Sequence, residues 1–320
     1  MNHRLIAFAC VLAAAATLHP AHAATGSIDP VSGVLTITGK LSYSTINSNG
    51  TNVLVAAGTK AYSTNLVVAG TTRRYLILRP DPAPASEPAL LLLHPNGSSP
   101  ESMANLTEVV NFVATQGFWA VMPAAIGGQW KDDPTTGNAD DVTFISTLVD
   151  SLATQGVDAT RVYAAGYSNG GFMSERLACA LSDKIAAFGI DAATLRTGLA
   201  SSCTPVKQRP KQFFLGTADN IVPYDGVANL ESAASTLAFW SKQQGCPGIV
   251  STMLPNRVND GTSVQLDDHT GCAGGTALLL YTIYNGGHAW PNGLTQSVGT
   301  TTQNIDATGL VWRFASGYRR

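Results

Sequence analysis

Apolar residues follow two alternating rhythms from about Pro88 onward. Ala89-Leu90-Leu91-Leu92-Leu93 is a continuous apolar run, the pattern of a strand buried on both faces. Next, Met103, Leu106, Val109, Val110 and Val113 fall at helical spacing with Gly117 as a stop, which predicts one helix over residues 101–116. Phe118 to Met122 reads as a strand, and Val142, Ile145, Leu148, Val149 and Leu152 predict a helix over 140–155, stopped by Gly156. The alternation then continues to the end of the chain. Strands are expected at 161–165, 185–190, 212–216 and 276–284, and helices at 170–181, 229–244 and 305–315. Strands separated by helices over this length predict an α/β fold with a mostly parallel central sheet flanked by helices. Loops at the carboxyl ends of such strands are where a site is expected.

The region before Pro88 differs. Residues 25–72 are rich in Thr, Ser, Gly and Val with short β-like runs such as Val34 to Thr38 and Asn65 to Val68. They predict an extra N-terminal β segment, as added strands or a hairpin on one sheet edge. Ahead of them, residues 1–23 have the form of an export signal: Arg4, then an apolar run from Leu5 to Leu18, then Ala21-His22-Ala23. That run is too short to span a bilayer as a mature helix. The expected organisation is a signal peptide over 1–23, cleaved near Ala23 or Ala24, a β extension over 24–72, and a catalytic domain over 73–320. The destination is secreted or periplasmic, and Cys10 sits in a poor context for lipid attachment.

Loss of the leader changes the inventory of reactive groups. His3, His19, His22 and Cys10 leave with it, so the mature chain keeps His94, His269 and His288, and four cysteines. An even number of cysteines in an exported chain points to two disulfides. Cys179 with Cys203 and Cys246 with Cys272 is the favoured pairing because each closes a local loop; three pairings stay open. No two cysteines stand at C-x-x-C spacing, so no metal site is expected. Net charge is −2 and only 12% of residues are charged, which gives no reason to expect nucleic acid or an anionic membrane as a partner. No linker, charge block or repeat is visible. Asn49, Asn96 and Asn105 each begin an N-x-Ser/Thr glycosylation pattern.

Gly166-Tyr167-Ser168-Asn169-Gly170 is a G-x-S-x-G pattern, weak by itself in a chain with 31 glycines. Context strengthens it, because a predicted strand precedes it and a predicted helix follows. That is the setting of a nucleophile elbow, with Ser168 as nucleophile. A serine hydroxyl near neutral pH needs a base within hydrogen-bond reach. His288 lies in the glycine-rich loop 285–291 directly after the last predicted strand, whereas His269 lies in what reads as an exposed polar turn. His288 is therefore the expected base. The acid should fall between the two in chain order, and Asp219, just beyond the 212–216 strand, is the leading candidate, with Asp225 and Asp191 behind it. An oxyanion site needs two backbone N–H donors. One is expected from Asn169, and the other from Asn96 or Gly97, since Pro95 has none. His94 reads as a residue that organises this loop. Trp290, Tyr224 and Trp130 are candidate walls of a substrate pocket, and no cofactor is expected.

Several of these segments carry a resemblance, in order. They are His94-Pro95-Asn96-Gly97, the run from Gly166 to Cys179, Gly216-Thr217-Ala218-Asp219 with Val222-Pro223-Tyr224, Tyr281-Thr282-Ile283, and Gly286 to Pro291. Together they resemble the secreted feruloyl esterases and polyhydroxybutyrate depolymerases, which have the α/β-hydrolase fold, over about Arg74 to Phe314. The resemblance implies Ser168, Asp219 and His288 as a triad and a carboxylic ester as the bond cleaved. It also favours the local cysteine pairing. That family usually has Gly after the histidine of the oxyanion loop, where this chain has Pro95. The expected substrate is a small-molecule or oligomeric ester, of feruloyl or hydroxyalkanoate type. A secreted serine peptidase of the same fold is the alternative, and a non-catalytic binding protein that keeps the fold a more distant one.

Overall fold

The computed structural model describes residues 24–136, 140–294 and 298–320, so the expected leader lies outside the described residues. Two hairpins come first. β1 (Ala24–Ile28) pairs with β2 (Leu35–Gly39), and β3 (Tyr43–Ser48) with β4 (Thr51–Ala56), each as its own two-stranded sheet. β5 (Thr59–Val68) and β6 (Thr71–Pro80) follow, then β7 (Glu87–Leu93), α1 (Pro100–Leu106), α2 (Val109–Gln116), β8 (Trp119–Pro123) and α3 (Asp140–Thr154). The centre of the chain holds β9 (Val157–Tyr167), α4 (Asn169–Ala180), β10 (Phe188–Asp191), α5 (Thr197–Ala200) and β11 (Lys211–Gly216). The last part holds α6 (Ala233–Gln244), β12 (Gly248–Met253), β13 (Ser263–Thr270), β14 (Leu278–Tyr284) and α7 (Ala307–Ala315).

Ten strands form the main sheet in the order β12-β13-β14-β11-β10-β9-β7-β8-β6-β5. The stretch from β14 to β8 is parallel, and antiparallel pairs close both ends. Alternate residues of the central strands serve different layers. Leu91 and Leu93 pack with α3, α4 and α6 on one face, while Leu90 and Leu92 pack with α1, α2 and α7 on the other. Each of these leucines is fully buried, a contribution of about 2 kcal/mol apiece. Helix ends follow local chemistry. Ser99, Ser232 and Asp306 accept backbone N–H bonds at the starts of α1, α6 and α7, and Gly245 ends α6 in the left-handed region. The cap at Ser232 is why α6 begins at Ala233 and not at Asn229.

Three expectations are corrected. The helix predicted over 101–116 is two helices, broken where Glu108 takes φ 46°. There the Thr107 hydroxyl bonds to the Met103 carbonyl, and the Thr107 carbonyl accepts from Thr308 Oγ1 of α7, so tertiary partners replace the helical ladder. Within residues 25–72 only β5 adds to the sheet edge. The two hairpins cover α1 and α2 instead: Asn105 Nδ2 donates to the Asn52 carbonyl, Tyr43 Oη to Asn111 Oδ1, and Gln116 Nε2 to the Gly26 carbonyl. Finally, His269 is no exposed turn residue. It lies in β13, opposite Leu278 of β14, and is 6% exposed. Among the described residues no helix is long and apolar enough to cross a membrane. Disulfides join Cys179 to Cys203, tying the end of α4 to the chain after α5, and Cys246 to Cys272.

Candidate active site

β9, β10, β11 and β14 lie side by side and end on the same edge of the sheet. Ser168 stands between β9 and α4 with φ 55° and ψ −119°, a conformation an L-residue holds only under constraint. Its N–H donates to the Asp191 carbonyl at 2.9 Å, and its carbonyl accepts from Phe172 N–H. The flanking glycines are required by contact. A Cβ at Gly166 would stand 2.1 Å from the Gly170 carbonyl oxygen, and one at Gly170 would stand 2.1 Å from that of Leu93. The spacing of the motif thus follows from how closely the turn is folded against the end of β7.

Asp219 and His288 meet directly. His288 Nδ1 lies 2.7 Å from Asp219 Oδ2, and both side chains are buried. Asp219 Oδ1 accepts from the N–H groups of Ile221 and Val222, each at 2.8 Å, so the loop after β11 fixes the carboxylate. The histidine loop is held from two sides. His288 exchanges backbone bonds with Val298, and the Tyr167 hydroxyl donates to the His288 carbonyl at 2.8 Å. The Tyr167 and His288 rings are 5.1 Å apart, which sets the imidazole beside the residue preceding Ser168. Asp225 is exposed, and the acid next to His288 is Asp219.

The two candidate N–H groups in the turn over residues 95–98 differ in what they bond to. Gly97 N–H donates to the Gly128 carbonyl at 2.9 Å and is engaged; Asn96 N–H has no partner among the described residues. That bond counts against Gly97 as a donor candidate, and Asn96 stays a candidate beside Asn169. His94 organises the loop from inside. Its Nε2 accepts from Ala125 N–H at 3.1 Å, so the ring proton is on Nδ1, which donates to the Pro95 carbonyl. Burial pushes this imidazole below its ordinary pKa and keeps it neutral.

The aromatic candidates divide. Trp130 is 1% exposed; its indole N–H donates to the His94 carbonyl and its backbone N–H to Asn169 Oδ1. It is a strut between the turn after β7 and the start of α4. Trp290, 2% exposed, donates to Thr308 Oγ1 and anchors the histidine loop to α7. Both corrections have one cause: an indole N–H near a polar loop finds a partner and becomes a brace. Tyr224 borders an open cleft, of about 810 Å³, with Leu237, Ile249, His269 and Leu280; Ser168, Asp219 and His288 do not line it. The Tyr224 hydroxyl pairs with Thr282 Oγ1.

Sequence reasoning missed the polar clamp around Asn169. Its Nδ2 donates to the Trp130 carbonyl and to Asp132 Oδ2, and Asp132 in turn pairs with Arg196 at 2.8 Å. Asp132 and Arg196 lie in loops far from the motif, and no local signal joins them to it. Among the described residues no group of three or more His, Cys, Asp or Glu could hold a metal ion.

A mostly parallel ten-stranded sheet flanked by helices, with this elbow, has the α/β-hydrolase fold. The solved structures agree: an acetyl xylan esterase from Aspergillus awamori superposes with TM-score 0.55 at 13% identity, over 72% of this chain and 94% of that one. At that identity it bears on the fold alone. No family model matches the chain. Among curated proteins, feruloyl esterase B of Piromyces equi is 32% identical over 180 residues, 52% of this chain and 32% of that protein. Feruloyl esterase D of Neurospora crassa is 25% identical over 236 residues, 68% of this chain and 74% of that protein. The match thus spans about a third of the Piromyces protein. These relatives bear out the resemblance to feruloyl esterases and, at that level, the expectation of a carboxylic ester hydrolase.

Proposed function

We propose that the protein is a secreted serine esterase in which Ser168 is the nucleophile, His288 the general base and Asp219 the acid that orients it. Ser168 Oγ attacks the ester carbonyl while His288 Nε2 takes its proton. Asp219 holds the opposite ring nitrogen and steadies the imidazolium that forms. The N–H groups of Asn169 and Asn96 receive the negative charge on the carbonyl oxygen. Collapse of the tetrahedral intermediate returns the proton from His288 to the leaving alcohol. Water then repeats the sequence on the acyl-enzyme and releases the acid.

The observation that carries this reading is the 2.7 Å contact of Asp219 with His288, beside the constrained turn that holds Ser168. The names of the relatives support a feruloyl-type aromatic acyl group ahead of hydroxyalkanoate oligomers. Export is supported by the leader pattern in the sequence and by the two disulfides. The test is turnover of methyl ferulate, nitrophenyl esters of increasing chain length and hydroxybutyrate oligomers, with fluorophosphonate labelling alongside. Ser168→Ala should abolish both labelling and turnover. Undiminished labelling of that variant would remove Ser168 from the mechanism, and cleavage of peptides without cleavage of any ester would favour a peptidase.

A further inference from the structure

The cleft beside Tyr224 has no part in the mechanism above. It lies between α6 and the β12 end of the sheet, holds about 810 Å³, and is not lined by Ser168, Asp219 or His288. On the helix side Ala234, Leu237 and Ala238 face it, at positions i, i+3 and i+4, and both alanines are exposed. Larger side chains at those two positions would close the helix onto the strands, whereas alanine leaves a slot. Across the slot lie Leu280 of β14 and Ile249 of β12, with Tyr224 also on its wall. A cleft of that volume with mainly apolar walls has the form of a small-molecule site.

Two polar side chains interrupt the apolar floor, and both come from β13. His269 and Asp267 are alternate residues of that strand and so project to the same face. His269 stands opposite Ile249 and Leu278, and Asp267 opposite Ser251 and Leu280. Asp267 has partners, since its Oδ1 accepts from Ser251 Oγ and from Gln265 Nε2. His269 has none. It is 6% exposed, its Nδ1 is sealed from solvent, and neither ring nitrogen has a hydrogen-bond partner among the described residues. A buried polar group in that condition is costly, and native proteins rarely leave one unmet. Burial lowers the imidazole below its ordinary pKa, with the charges of Asp267 and Asp268 pulling the other way. A neutral imidazole offers one acceptor nitrogen, and an ionised Asp267 offers only acceptors. The floor therefore suits a hydrogen-bond donor. It disfavours a carboxylate, because Asp267 would repel one and the cation on the cleft, Lys242, is exposed to solvent and screened.

We propose that this cleft binds a neutral aromatic molecule carrying a phenolic hydroxyl, with the ring between the alanine face of α6 and Leu280 and the hydroxyl donating to His269. The site is separate from the triad, and ligand binding there does not require Ser168.

The experiment measures binding of 4-ethylphenol, ethylbenzene and 4-ethylbenzoate to the protein by calorimetry near pH 7. The phenol should bind at least about tenfold more tightly than either of the others, the discrimination expected when a hydroxyl finds or loses a buried partner. Ala238→Trp, a change at an exposed helix position, should fill the slot and abolish binding while turnover of a nitrophenyl ester stays within about twofold of wild type. His269→Leu should bring the affinity for 4-ethylphenol down to that for ethylbenzene. Equal affinity of the wild type for 4-ethylphenol and ethylbenzene, or undiminished binding of 4-ethylphenol by Ala238→Trp, would overturn the proposal. Should His269→Leu fail to fold, the ranking of the three ligands and the Ala238→Trp variant decide. Failure of the esterase reading has a different signature: a wild-type protein that binds 4-ethylphenol yet turns over no ester.

Discussion

Asp219 uses each oxygen differently, and the division explains what its loss should do. Oδ1 is fixed by two backbone N–H groups, and Oδ2 faces His288 Nδ1. Asp219→Asn keeps the shape of the side chain but offers the wrong partner at Oδ2 in one of its two orientations. In either orientation it removes the charge that balances an imidazolium. A loss in kcat of about 10³–10⁴ is expected, with KM little changed. Asp225→Asn, on the exposed part of the same loop, should stay within about twofold of wild type, since nothing ties that carboxylate to the base and exposed charges contribute little. Steady-state kinetics on one ester for both variants checks the assignment; a larger loss at Asp225 would overturn it. The tight turn at Ser168 and the pairing of Asp219 with His288 were legible in the sequence because chain order and strand ends constrain them. Trp130 and Trp290 could not be placed, because an aromatic near a site reads the same whether it faces a ligand or braces a loop. Only the partners of their indole N–H groups, His94 and Thr308, separate the two roles.

Among the loops and strands, the oxyanion loop gives the sharpest expectation. Pro95 to Ser98 is a turn closed by Ser98 N–H on the Pro95 carbonyl, with Gly97 at φ 71°. A positive φ at the third residue is the signature of a type II turn, whose second residue, here Asn96, tolerates proline well. Asn96→Pro should therefore preserve the turn while deleting the one free N–H in it. Loss of an oxyanion donor costs about 10²–10³ in kcat. Asn96→Ala keeps the N–H and should stay within about threefold, so the contrast between the two isolates the backbone group from the side chain. A small effect of both would return the second donor to another part of the chain. The same scale shows where the hydrophobic pattern fails as a guide. Strands buried on both faces, such as β7, are legible because every residue is apolar. β13 (SVQLDDHT) is not, since its place is set by pairing with β12 and β14 and not by its own composition. The break between α1 and α2 is hidden for a similar reason: the bond from Thr308 that ends the first helix comes from a residue two hundred positions away.

Across the molecule, the layer behind the elbow holds a buried polar pair whose chemistry should set how stability varies with pH. Glu175 on α4 and Lys211 at the start of β11 are both fully buried. Trp240 Nε1 donates to Glu175 Oε1 at 2.9 Å; Lys211 Nζ donates to the Arg209 carbonyl and lies 4.1 Å from the centre of the Trp240 ring. Burial raises the Glu175 carboxyl to about 8 and lowers the Lys211 ammonium to about 7, so both are driven toward their neutral forms. Between its ordinary value of 4.5 and about 8, Glu175 holds a proton in the native state that the unfolded chain has released, so its contribution to stability falls as pH rises. Lys211 acts in the opposite sense. From about 7 to 10.5 the unfolded chain binds the extra proton, and stability rises with pH. Glu175→Gln keeps an acceptor for Trp240 and removes only the falling limb. Its melting temperature should match wild type near pH 4.5 and exceed it by at least about 2 °C near pH 8, the shift expected from ~1 kcal/mol in a large domain. Lys211→Met should show the reverse profile, with its gain over wild type largest below pH 7 and vanishing toward pH 10.5. Thermal unfolding of the three proteins across that range is the check. A Glu175→Gln advantage that stays constant with pH would mean the carboxyl is ionised and paired in the native state, because only a protonated Glu175 gives a difference that grows as the unfolded chain loses its proton.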